Sequence, residues 1–491
     1  MFGLGKRKYF DYFILVIIFI LSRLLFLFFT PFAYYDEEAK IGSIGHDIVF
    51  NKGLRIPFWG YLDSPHSGGS IFSGLLTIPF YYIFGDKYSA LKMAALVFSF
   101  FTLVLWYRLL SSETERRKET IILSLIFFSF AVPHYVQKSV ILVGNTVELM
   151  FFNILVISYF WKIKKNPDII PISYFFLGML CGFSFWIQFM SFYLFLAIIL
   201  TLFITEKFKT VINHCVYLII GFLLGALPLW IYNLQYRWAI FTADPRSQMY
   251  FSFNLSKLRN FLSVDLPASF HFLDIGNIKS QYLSFIVYVI FIVAVLMHSI
   301  KNLIHYIKQE NQRPVQGRFN ITLELFLILY IFVFVIVTSF TTFPVRSEEA
   351  YGWNSMNVHA EHYIVSLQLI IFALLILLNK YKNMVISLIN IIVSTIFILG
   401  YISLFRELYH NDTLLKPMHS TEANTFECGF NFIRNPELFL IFKQKIPYGL
   451  QEDYMKGAKK SWGMTPQKIK KQIFEKVERL GSDYSYLYLK L

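Results

Sequence analysis

Three consecutive carboxylates, Asp36, Glu37 and Glu38, stand in the stretch FAYYDEEAK, directly after an apolar run that ends LLFLFFTP. Acids at the mouth of a membrane helix are costly to bury and cheap in a water-filled cavity. That makes them candidates for taking up a proton or holding a hard cation. The plain alternative is helix initiation. If EEAKIGSIGHDIV is a helix lying along a membrane, Glu37 and Glu38 occupy its first turn, where the positive end of the helix dipole favours them. His46 and Asp47, a little over two turns later, read as ordinary residues of that helix's surface.

The composition says what must position these acids. Of 491 residues, 56% are hydrophobic and 15% charged, with a mean hydropathy of +0.53, far too apolar for an ordinary soluble globule. A bilayer core of about 30 Å takes roughly 20 apolar residues per helix. Windows of that kind recur at 9–30, 88–110, 120–133, 146–161, 170–186, 188–205, 210–232, 280–299, 321–340, 363–379 and 384–404. They predict an all-α polytopic membrane protein with about 11 transmembrane helices. The first window follows Lys6-Arg7-Lys8 as a signal peptide would. It is long, however, and no small-x-small cleavage site follows it, so it reads as a retained span.

Cys181, Cys215 and Cys428 form no CxxC pair, which argues against a zinc site or a disulfide framework. The net charge of +14 is spread over short loops between apolar helices, the pattern of the positive-inside rule rather than of a nucleic-acid surface. With a cytoplasmic N-terminus, the inner loops are SSETERRKE, WKIKKNP, TEKFK, HSIKNLIHYIKQENQRPVQGR and NKYKN, every one carrying Lys or Arg. The outer segments are then 31–87, 134–145, 233–279, 341–362 and the tail from 405. The apolar stretch Ser70 to Phe84 is short for a span, and counting it as one would put the basic loops outside. It is therefore expected as a helix lying at the interface. The chain divides into a transmembrane unit, 1–404, and a small C-terminal unit outside the membrane, 405–491. In the latter, Thr465, Pro466 and Gly481 bracket a helix.

The order of features in the first loop resembles the opening of the GT-C glycosyltransferases, in particular the protein O-mannosyltransferase and lipid A aminoarabinose transferase branch. These show an acidic pair after the first membrane helix, then a Pro-containing juxtamembrane helix ending Phe-Gly, then a helix that begins with a basic residue. Here the pair is Asp36-Glu37 or Glu37-Glu38, the Phe-Gly is Phe84-Gly85 and the basic residue is Lys92. VGNTVELMFFNILVISYF resembles the family's fourth helix, with Glu148 in the place of its outer acid. GFLLGALPLWIYNLQ is similar to the family's Gly-x-x-x-Gly-x-x-Pro segment followed by Tyr-Asn, through Gly221, Gly225, Pro228, Tyr232 and Asn233. HAEHYIVSLQLIIFALLILL resembles the segment in which the family has Arg-Tyr, with His362 where the Arg is usual.

The resemblance implies a GT-C fold in the bacterial inner (plasma) membrane, with the active site on the outer face. It also implies transfer of a sugar from a polyprenyl phosphate donor to a lipid, glycan or protein acceptor, with membrane lipids around it and no nucleic acid. A carboxylate among Asp36, Glu37, Glu38 and Glu148 would take the acceptor's proton. Lys40, Arg55, His66, Arg346, His359 and His362, all on outer segments, would steady the donor phosphate. Glu37 and Glu148 would be the ligands of a divalent metal, Mg or Mn, if one takes part. The competing functions are a transporter or flippase for a lipid-linked sugar and a surface-glycan polymerase or ligase. The first wants charges at the bilayer midplane and paired broken helices; the second usually relies on Arg and His. A reporter fused at Lys118 is expected in the cytoplasm and one at Lys456 outside. The opposite result at either position overturns the orientation.

Overall fold

The computed structural model describes residues 6–29, 36–50, 70–85, 88–114, 117–142, 146–166, 170–206, 208–235, 255–260, 262–263, 266, 280–312, 321–340, 360–380 and 384–410. Among these no strand occurs. The helices are α1 (Lys6–Phe29), α2 (Asp36–Phe50), α3 (Ser70–Leu76), α4 (Ile78–Phe84), α5 (Tyr88–Glu113), α6 (Arg117–Ser129), α7 (Pro133–Lys138) and α8 (Val147–Lys165). They continue with α9 (Ile172–Ile187), α10 (Phe192–Thr205), α11 (Phe208–Gly225), α12 (Leu227–Gln235), α13 (Leu255–Asn260), α14 (Ser280–Gln312), α15 (Leu323–Phe340), α16 (Ala360–Leu377) and α17 (Met384–His410). Short 3-10 turns precede α10 and follow α16. The predicted helix of the C-terminal tail lies outside the described residues.

Among the described residues four stretches are long and apolar enough to cross a membrane: Ser89–Glu113, Phe208–Gly225, Phe285–Asn302 and Ile386–Arg406. The bundle is apolar on its outside as well as its inside. On α11, Ile212, Val216, Ile219, Ile220, Leu223 and Leu224 are all exposed, a surface that water would not tolerate and lipid solvates freely. The opposite extreme is α16, where residues 367–379 are buried without exception. A helix apolar all round belongs in the middle of a bundle, and α16 accordingly touches α5, α6, α8, α14 and α15.

The tightest contact joins α9 to α11. Each carries Gly-x-x-x-Gly, Gly178/Gly182 on one and Gly221/Gly225 on the other, and the four glycines face the partner's main chain. A Cβ built on Gly178 would lie 2.0 Å from the Leu218 carbonyl oxygen, and one on Gly221 would lie 2.0 Å from that of Phe175. The two helices meet backbone to backbone, the association that small residues permit where lipid removes the hydrophobic drive. The same device seats α2 on α3, with a Cβ on Gly74 falling 2.6 Å from the Ile41 carbonyl oxygen.

Two expected helices are broken in two, each time at a proline. The segment 70–84 divides at Thr77, two residues before Pro79. Proline has no N–H to give the Leu75 carbonyl four residues back, and at the break the Thr77 N–H and hydroxyl both donate to the Gly74 carbonyl, at 3.1 and 2.6 Å. The window 210–232 divides at Ala226, two residues before Pro228, and its second half continues as α12 to Gln235. Replacing Gly221 by Leu should separate α9 from α11 and cost about 1–3 kcal/mol or more. Thermal unfolding of the purified protein in detergent checks this, with Ile220→Ala on the exposed face of the same helix expected to unfold like the wild type.

Candidate functional site

The helix directions bring the acids to one end of the bundle. The C-terminal ends of α5 and α8 lie together, since the Glu113 carboxylate accepts from Lys165 and, at 2.8 Å, from the Trp161 indole N–H. These helices therefore run parallel, and their N-terminal ends share the opposite side, where Phe98 and Phe101 of α5 meet Phe151 of α8. Lys92 lies in the second turn of α5 and Glu148 in the first turn of α8, both buried. On the same side α3 reaches α8 through the rings of Phe72 and Phe152, 5.9 Å apart. The helix on which α2 is seated thus packs against α8 one turn beyond Glu148.

The cluster itself is anchored by its third member. Glu38 is completely buried, and the Lys92 ammonium donates to its carboxylate at 2.5 Å, joining α2 to α5 across 54 residues of sequence. A pair so far from water holds together because each charge compensates the other's lost hydration. The rest of α2 is fixed by Gly45 against Thr77 and by His46, whose ring lies edge-on to Tyr81 of α4 at 5.9 Å. His46 therefore faces α4 and is buried, a packed position rather than the helix-surface position expected.

Asp36 and Glu37 begin α2, in the turn before the anchored Glu38; Lys40 sits further along the same helix, and His362 opens α16. For these four the structure describes the backbone alone. Arg55, His66, Arg346 and His359 lie outside the described residues altogether. Among the described residues, no group of three or more His, Cys, Asp or Glu comes together. Of the two expected metal ligands, Glu148 has its side chain described and Glu37 its backbone alone.

Two further buried cations occupy this end. Arg23, in α1, donates from Nε to the Ser139 hydroxyl at 2.6 Å and from its terminal nitrogens to the carbonyls of Phe128 at 2.6 Å and Ser129 at 2.8 Å. Lys138 closes α7 with no exposed surface. The sequence held a signal for both: an Arg inside an apolar helix, and a Lys on a segment assigned to the side where basic residues are scarce.

The opposite end is different in kind. Glu206, between α10 and α11, accepts from Lys164 of α8 at 2.9 Å, from Tyr174 of α9 at 3.3 Å and from His214 of α11, whose Nδ1 lies 2.7 Å away. Burial pushes this carboxyl up, but His214 and Lys164 outweigh it and hold it down at about 2. Lys380 bonds Glu324 at 2.7 Å, joining the turn after α16 to the start of α15. These are structural clasps among short basic loops. From Glu148 to Lys164 is about 24 Å along α8 at 1.5 Å per residue.

Compared with known proteins, the chain matches no family model, no curated protein and no solved structure.

Removal of either partner of the Glu38–Lys92 pair should be far worse than removal of both. Lys92→Met or Glu38→Leu alone is expected to cost about 3–5 kcal/mol, and the double variant K92M/E38L much less than their sum. Unfolding in mixed detergent micelles gives the three values, and simple additivity would show that the pair does not anchor α2.

Proposed function

We propose that the chain is a GT-C-type membrane glycosyltransferase with about 11 spans. It moves a sugar from a polyprenyl phosphate to an acceptor on the outer face of the bacterial inner membrane. The observation that carries this is the gathering of Glu148 and the Asp36–Glu38 turn at the N-terminal ends of α5 and α8, opposite the basic loops. The Lys- and Arg-rich loops at the other end favour the cytoplasm, which supports an outer face for the acids. It also disfavours a transporter, which places its ionisable groups near the midplane.

In the proposed reaction a carboxylate of Asp36 or Glu37 takes the proton from the acceptor's nucleophile as that atom bonds to the anomeric carbon. The bond from that carbon to the phosphate oxygen breaks, its electron pair stays on the oxygen, and the polyprenyl phosphate leaves. Glu148 faces the same space as the second acid, and Lys40, Arg55, His66, Arg346, His359 and His362 are the cations proposed to hold the phosphate. Glu38, neutralised by Lys92, serves as the anchor that sets where Asp36 and Glu37 stand. The exposed Tyr82, Ile83 and Phe84 at the end of α4 suit a helix lying in the interface.

Mass spectrometry of the lipid that copurifies with the protein should find a polyprenyl phosphate sugar. Transfer from that donor should then fall by about 100-fold or more in Glu148→Gln and in at least one of Asp36→Asn and Glu37→Gln, with donor binding retained. Near-normal transfer by all three would leave the acids as solvated helix ends.

A further inference from the structure

Arg23 has no counterpart among the groups assigned to the reaction, yet it is the most heavily bonded buried cation among the described residues. Its guanidinium lies 4.6 Å over the ring of Phe19 and 5.4 Å from that of Tyr135. Its terminal nitrogens donate to the Ser22 hydroxyl at 3.1 Å and to the last carbonyls of α6, the negative end of that helix's dipole, which stand in for a carboxylate. Its Nε holds Ser139 by the hydroxyl, and Ser139 is held a second time, by its carbonyl, from Ser99 of α5.

From Ser139 the chain leads to one acid. Val140, Ile141 and Leu142 are buried, and the Thr146 hydroxyl turns back to the Ile141 carbonyl at 2.7 Å, one residue before α8 begins and two before Glu148. From Arg23 it leads to the others, since α1 runs on to Phe29 and α2 opens at Asp36. On α5, Ser99 lies seven residues after Lys92 and so on the same helix face, about 10 Å along it. The residue that receives Glu38 and the residue that holds Ser139 thus share one ridge.

Resting on the transferase already proposed, we infer that Arg23 is a positioning residue for the reaction. It ties the chain leading into Asp36 and Glu37 to the chain leading into Glu148, and so sets the separation of the acids on which attack depends. It touches no substrate. A guanidinium is required because four acceptors on three segments lie around its fork of donors, a set that the point charge of a lysine cannot span.

The test measures steady-state transfer with a panel of synthetic undecaprenyl phosphates carrying a hexose, an N-acetylhexosamine or an aminopentose. Active sites are counted by binding of fluorescent undecaprenyl phosphate. Arg23→Lys should keep KM for the donor while kcat per site falls about 10- to 100-fold. Ser139→Ala, which keeps the buried cation but removes its acceptor, should lower kcat in the same way if Arg23→Lys does not fold. A purely structural Arg23 would reduce the number of binding sites and leave kcat per site at the wild-type value, which overturns the inference. Absence of transfer by the wild-type chain with every donor would instead overturn the transferase and the inference together.

Discussion

A charge taken out of water has to find its solvation inside the protein, and in a chain this apolar there is little to supply it. Where the buried charges sit is therefore dictated by where helix ends, hydroxyls and opposite charges can be brought to them. Arg23 is met by the exhausted end of α6, Glu38 by Lys92, and Glu324 by Lys380. Each solution needs two or three helices to arrive at one point, so each doubles as a fastening. The apolar contacts fill the space between these points without choosing the register. Leu and Ile on lipid-facing helices such as α11 and α14 would pack about as well against a bilayer.

The two ends of the bundle use this constraint in opposite ways. At the basic end, Glu206 accepts from three helices at once, and its carboxyl is held at about 2, far from any useful proton affinity. Such a group locks helices together and has no acid–base chemistry near neutral pH. At the other end the first turns of α2 and α8 bring carboxylates to helix starts, beside the free N–H groups of those turns. One of these, Glu38, is committed to structure. The division of labour within three adjacent acids is set by which of them the α5 lysine reaches.

Much of the helical layout is legible in the chain, because runs of apolar residues near the thickness of a bilayer have few other uses, and each of the windows named carries a helix. The breaks are less so. Pro79 and Pro228 are visible, but whether a proline bends a helix or ends it depends on the bonds made around it, and at Thr77 the N–H and hydroxyl both turn back to the Gly74 carbonyl. The glycine pairs of α9 and α11 are half legible. Gly221 and Gly225 belong to a motif, while Gly178 and Gly182 gain meaning only when the partner's main chain lies against them. At the site, Glu148 and the acid cluster stand out by type and place. Arg23 does not, because a lone basic residue in an apolar run says that a partner exists without saying which, and here the partners are main-chain carbonyls more than 100 residues away.

The position of α16 has a consequence for how the molecule comes into being. It is the most enclosed helix of the bundle, yet it begins at Ala360, after α5, α6, α8, α14 and α15, the helices it packs against, have left the ribosome. Until it arrives, α5, α6 and α8 stand around a gap the width of a helix, about 10 Å across, in a membrane that fills gaps with acyl chains. Its arrival is therefore the exchange of lipid for protein along the central axis, with α17 alone still to follow. A chain truncated before residue 360 is a barrel of correct staves with nothing to close upon.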